Sequence, residues 1–232
     1  MRLHTTTALS LSVLTVLAMA GCSTGSTPTD GPVFPASAPK QQEGKHAPAL
    51  APLSSAELSK RLLDERDLGE GYLRKPQQPR GHDDVIASGC PALDELGGAA
   101  VVGGGLDFPR KAKTSFTYAH GSNSEVAEEL YSDTEERLSN GVGRIFEAMT
   151  SCPTYQLFFG STPVKVSTQK VAAARLGDEL WSQLLTFTGS GRSHLVKQTA
   201  VRTGTVVVVV SGSPGLVDAH LAKAVDKARS AG

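Results

Sequence analysis

From position 155 to 202 the apolar side chains recur mainly every second residue, in segments divided by short turn signals, and an unbroken valine run follows at 206–210. Five segments read as strands on this pattern, at 155–159, 164–171, 180–188, 195–202 and 206–210. Gly160-Ser161, Gly177-Asp178, Gly189-Ser190-Gly191 and Thr203-Gly204 divide them. Connections this short cannot return the chain to begin a parallel neighbour, so consecutive strands must pair antiparallel. The five valines at 206–210 have no polar alternation at all. A β-branched run of this kind reads as a central strand buried on both faces.

The chain before position 155 supplies helices for that sheet. Ser54 or Ser55 caps a helix that carries Leu58, Leu62 and Leu63 on one face. Leu68-Gly69-Glu70-Gly71-Tyr72 ends it. Cys90-Pro91 opens a single helical turn, and 99–108 and 114–120 read as two further strands. Ser122 with Glu125 three residues later forms a capping-box pattern. It predicts a helix with Val126, Leu130 and Tyr131 on one face, a weak point at Asn140-Gly141, and an end at Cys152-Pro153. A last helix occupies 215–229. The expected fold is α+β, with one antiparallel sheet of about five to seven strands and helices packed on one side.

The first 53 residues are of another kind. Arg2 and His4 precede an apolar stretch at 8–18, shorter than the roughly 20 residues a membrane-spanning helix needs and followed at once by a polar tract. This is the pattern of a cleaved export signal. Leu17-Ala18-Met19-Ala20-Gly21-Cys22 reads as a lipobox, with the small pair Ala20-Gly21 before the cysteine. Residues 1–21 are then the lipoprotein signal peptide, and Cys22 becomes the first mature residue, carrying a diacylglycerol on its sulfur. Acyl chains in this number hold a protein stably on a membrane. The expected location is the outer face of the cytoplasmic membrane, lipid-anchored. Residues 22–53 hold six prolines among small and polar residues and bury too little surface to fold. As a flexible tether they would hold the domain at 54–232 about 30 Å from the anchor.

Charge and motif content exclude several function classes. Loss of Arg2 leaves 22 Lys and Arg against 23 Asp and Glu in the mature chain, a formal charge of −1. No clustered basic face is available for nucleic acid. Cys90 and Cys152 are an even pair in an oxidising compartment, expected to form a disulfide with a structural role. His46, His82, His120, His194 and His220 share no metal-ligand spacing, and no cofactor is expected. Gly103-Gly104-Gly105 lacks the Gly-Lys-Ser/Thr that a phosphate loop requires. Ser190 to His194 lacks the strand-to-helix elbow of a serine nucleophile. The candidate cleft is the start of the strand after Gly177-Asp178. Asp178 and Trp181, the single tryptophan, stand there, with Gln183 and Phe187 on the same strand face as Trp181. Aromatic bodies with a few polar handles suit a small-ligand pocket. A turn aspartate and a core tryptophan are the plainer account of the same residues.

Leu62-Leu63 with Asp67-Leu68-Gly69-Glu70-Gly71-Tyr72, then Cys90-Pro91-Ala92-Leu93, Leu176-Gly177-Asp178-Glu179 and Val201-Arg202-Thr203-Gly204-Thr205-Val206-Val207 occur in an order that resembles actinobacterial lipoproteins. Those are similar to the extracellular sensor domain of a mycobacterial receptor serine/threonine kinase. The resemblance spans roughly residues 55 to 230. It implies a twisted antiparallel sheet, helices around a cleft for an unidentified ligand, and no catalysis. The chain offers one cysteine pair where the kinase sensor has two, and has no kinase domain. The functional expectation is a membrane-anchored, non-catalytic binding domain for a small amphiphilic ligand or an envelope protein. An envelope hydrolase using His194 or Asp178, or a structural envelope protein without a ligand, are the alternatives.

Overall fold

All five strands expected after position 154 are present, and they form the middle and one flank of a nine-stranded antiparallel sheet. The structure, a computed structural model, describes residues 51–77, 85–97, 108–120 and 124–230. The expected signal peptide, Cys22, all of the tether before Ala51, and the strand expected over 99–108 up to residue 107 lie outside the described residues. The elements are α1 (Ser55–Arg61), α2 (Glu65–Leu68), β1 (Tyr72–Arg74), β2 (Val85–Ser88), α3 (Pro91–Leu96), β3 (Arg110–Tyr118) and β4 (Glu125–Ser132). They continue with α4 (Glu135–Ser151), β5 (Thr154–Phe159), β6 (Thr162–Lys170), β7 (Glu179–Gly189), β8 (Arg192–Thr203), β9 (Val206–Gly212) and α5 (Pro214–Arg229). Strand order is β1-β3-β4-β9-β8-β7-β6-β5-β2. Among the described residues no helix is long and apolar enough to cross a membrane.

The count of nine strands exceeds the expected five to seven for two reasons. β1 and β2 have three and four residues, too few for a period to declare itself. β4 was expected as helix. Its residues Glu125, Ala127, Glu128, Glu129 and Leu130 are mostly good helix formers, but it pairs along its length with β3 and β9. Tertiary pairing overrides the local preference. Val126, Glu128 and Leu130 point to one buried face and Tyr131 to the other. The helix begins only after Thr134, whose side chain accepts from the Arg137 amide, and then runs unbroken through Asn140-Gly141.

Helices cover both faces of the sheet, not one as expected. The β9 valines show why: Val207 and Val209 enter one apolar cluster with α4, while Val206, Val208 and Val210 enter another with α5. A strand buried on both sides needs a layer on each, and burial of each valine is worth about 1.5 kcal/mol or more. The α4 layer is built on Leu138, Val142, Phe146 and Met149, with Leu93 of α3. The α5 layer uses Val217, Leu221 and Val225, joined by Leu58 of α1 and Leu68 of α2. Ser54 caps α1 in a full capping box with Glu57. One residue earlier, the Leu53 amide already donates to Ser132 Oγ.

Cys90 and Cys152 form a disulfide, with Cα atoms 5.7 Å apart. It joins the start of α3 to the end of α4 and closes a loop across 62 positions, worth about 4 kcal/mol in the loop-entropy treatment.

Candidate functional site

One flank of α4 meets the first residues of β7, and a cleft of about 430 Å³ opens between them. Asn140, Gly143, Arg144 and Glu147 recur at three- and four-residue intervals, so they share that flank of the helix. From β7 come Glu179, Leu180 and Trp181. The half-buried Trp181 indole tilts against Phe146 of α4, with ring centroids 6.4 Å apart. Gly143 stands over its nitrogen, where a Cβ would lie 3.7 Å from Nε1. The missing side chain at 143 keeps the indole edge open to the cleft.

A buried arginine fixes the rim. Arg202 Nε donates to Glu179 Oε2 at 3.0 Å, and its Nη1 reaches Gly204 O at 3.1 Å and Asp178 Oδ2 at 3.4 Å. Glu135 lies 3.7 Å from the same nitrogen. Ser139 Oγ donates to Glu179 Oε1 at 2.9 Å. Glu179 is thus neutralised and held by both β8 and α4. Gly177 allows β7 to begin this close to β8, since a Cβ there would overlap the Arg202 carbonyl oxygen and the Val201 side chain.

Of the four expected cleft residues, only Trp181 lines this cleft. Asp178 accepts from the Gly204 amide at 2.7 Å as well as from Arg202, so it clamps the turn between β8 and β9. Gln183 is fully buried under α4, where its Nε2 donates to Gln198 Oε1 at 2.9 Å and contacts Met149 sulfur at 3.3 Å. Phe187 packs at the border of the α4-side core. The alternation did place Trp181, Gln183 and Phe187 on one face, but six residues of strand span about 20 Å, too far for one small pocket. Asp178 and His194 lie at opposite ends of the β7–β8 hairpin: Glu179 pairs with Arg202 and Phe187 with His194, about 25 Å apart along the strands. Among the described residues, no group of three or more His, Cys, Asp and Glu side chains could hold a metal ion.

A second polar anomaly lies on the opposite face of the sheet. Glu128 of β4 is 1% exposed beneath the α5 layer. Its Oε2 accepts from the Leu63 amide at 2.6 Å, and its Oε1 has no partner among the described residues. Burial pushes its pKa up to about 7, against the opposing pull of the Leu63 amide and the Lys227 charge and with a small push from Asp67. Lys227 itself is held by Asp64 and Asp67.

Gly143, Arg144, Glu147 and Arg202 were not anticipated from the sequence. The α4 pattern announced its apolar stripe, not the polar flank beside it, and nothing local says that the start of β7 faces that flank.

No protein-family model matches the chain, and no curated protein matches it. Among solved structures it is similar to the extracellular domain of PknH from Mycobacterium tuberculosis. The TM-score is 0.57 at 14% identity, covering 76% of this chain and 97% of that one. It is also similar to a putative uncharacterized protein from Mycobacterium smegmatis, with a TM-score of 0.43 at 11% identity and coverage of 76% and 100%. The first of these shows a shared fold. The resemblance to a mycobacterial kinase sensor domain, read from short motifs, therefore holds in three dimensions.

Proposed function

We propose that this protein is an extracytoplasmic lipoprotein, anchored through Cys22 to the outer face of the cytoplasmic membrane, whose domain binds a small ligand without chemically altering it. The observation that carries the reading is the cleft between α4 and β7. It has an aromatic floor, a gap at Gly143 that exposes the indole edge, and a rim fixed by a buried arginine. Pockets of this size with one aromatic surface and a few placed polar groups suit small molecules. The shared fold with the PknH extracellular domain supports an extracytoplasmic setting, and the lipobox and proline-rich tether supply the anchor and reach. Catalysis finds less support, because Asp178 is engaged in a turn clamp and His194 stands at the far end of the hairpin.

Two measurements test the reading. Cells fed an alkyne-bearing fatty acid should label the wild-type chain and leave Cys22→Ser unlabelled; label retained in that variant would refute the anchor. The purified full chain, incubated with envelope extract and re-isolated, should carry a small molecule that Gly143→Leu, which fills the cleft, does not. Equal retention by both would refute the cleft.

A further inference from the structure

Two side chains of opposite charge stand on the cleft wall with no ion-pair partner among the described residues. Arg144 and Glu147 are exposed on the same flank of α4. Every other charged group at the rim is already answered: Glu179 by Ser139 and Arg202, and Asp178 by Arg202 and the Gly204 amide. Asn140, one helical turn before Arg144, adds a side-chain amide with no hydrogen-bond partner among the described residues. The apolar surface of Trp181 lines the same cleft, next to the gap at Gly143.

We propose that the cleft takes a small zwitterion with an apolar body, of the class of a free dipeptide. Its carboxylate meets the Arg144 guanidinium and the Asn140 amide, its ammonium meets the Glu147 carboxylate, and its side chains lie on the indole. This rests on the reading of the cleft as the ligand site and names what that site selects.

Charge complementarity decides among the ligand classes. An anion would satisfy Arg144 but bring its charge beside Glu147, which has no cation of its own among the described residues. A cation would satisfy Glu147 and meet Arg144. A neutral apolar molecule would strip water from both without replacing their hydrogen bonds, which is unfavourable. A zwitterion satisfies both ends. The geometry agrees: Arg144 and Glu147 are rooted about 4.5 Å apart along the helix axis, and two residues of extended chain span about 7 Å, within reach of two long side chains. The 430 Å³ volume is ample for a molecule of that size.

Trp181 is the only tryptophan in the chain, so its fluorescence reports the cleft directly. The full chain is titrated with leucyl-leucine, leucyl-leucinamide, N-acetyl-leucyl-leucine and octanol. Leucyl-leucine should give a saturable change. Each capped peptide, having lost one charge-assisted contact, should bind about 10- to 100-fold more weakly. Arg144→Gln should weaken leucyl-leucine by a similar factor and remove most of its advantage over the amide. Glu147→Gln should do the same relative to the acetylated peptide. Both residues are exposed, so neither variant endangers the fold.

If octanol and the capped peptides shift Trp181 as well as the free dipeptide, and Gly143→Leu abolishes the response, the zwitterion class is overturned and the cleft stands. If no probe shifts Trp181 but envelope extract does, the same conclusion follows. If neither probes nor extract perturb Trp181, both proposals fall.

Discussion

Replacing Glu128 with glutamine should stabilise the protein at pH 8 and not at pH 4. In the folded state the Glu128 carboxyl is buried with one oxygen unpaired, and its pKa stands at about 7 against an ordinary 4.5. Between those values the native state retains a proton that the unfolded chain has released. Wild-type stability from this group is therefore fully present below about pH 4.5, declines as pH rises to about 7, and is flat above. At about 1.4 kcal/mol per pH unit the decline amounts to about 3 kcal/mol. Glutamine does not ionise, and its carbonyl can still accept from the Leu63 amide. Its NH2 group stands unpaired where the protonated wild type has an unpaired O–H, and the one additional unmet donor costs about 1 kcal/mol. The net expectation is a gain of about 2 kcal/mol at pH 8 and a loss of about 1 kcal/mol at pH 4. Urea unfolding of both proteins across that range measures the difference, and contributions from all other acids cancel in it. At pH 8 the midpoint should rise by about 1 M. A difference that stays constant from pH 4 to 8 would refute the burial argument.

Gly177→Ala should destabilise by about 1–3 kcal/mol, because the added methyl meets a backbone carbonyl that cannot swing aside; thermal unfolding checks this. Removing the disulfide as Cys90→Ala with Cys152→Ala should cost about 4 kcal/mol, read by urea unfolding against the oxidised wild type. Gly143→Ala should raise stability by about 1 kcal/mol, since a Cβ there makes only ordinary contact with Trp181 and helix propensity improves. The larger Gly143→Leu should abolish ligand retention while leaving the protein folded, as circular dichroism and the envelope-extract recovery together would show.

The strongest sequence signals were those where pattern and topology agree. β5 to β8 alternate, β9 is an unbroken valine run, each turn between them carries a glycine, and the five pair in chain order. β4 misled because its glutamates and alanine favour helix while its partners impose strand, and only the β3 and β9 neighbours decide that. The two-faced burial of the β9 valines was legible, and with it the need for a layer on each face; placing all helices on one side overlooked that consequence. At the site, Trp181 was found by its composition and position. Arg144, Glu147 and Gly143 matter only because a helix flank faces a strand start 32 or more positions further along the chain, and no local pattern encodes such a meeting. Asp178 drew notice for its charge, whereas the structure spends that charge on a turn.

The most direct test of a ligand cleft between α4 and β7 is protein-observed NMR of the ¹⁵N-labelled chain with envelope extract added. The account predicts that the single indole N–H resonance of Trp181 shifts together with the backbone amides of Asn140, Gly143, Arg144 and Glu147, and that Gly143→Leu removes the response. Shifts confined to other parts of the sheet, or an unmoved Trp181 signal, would contradict it.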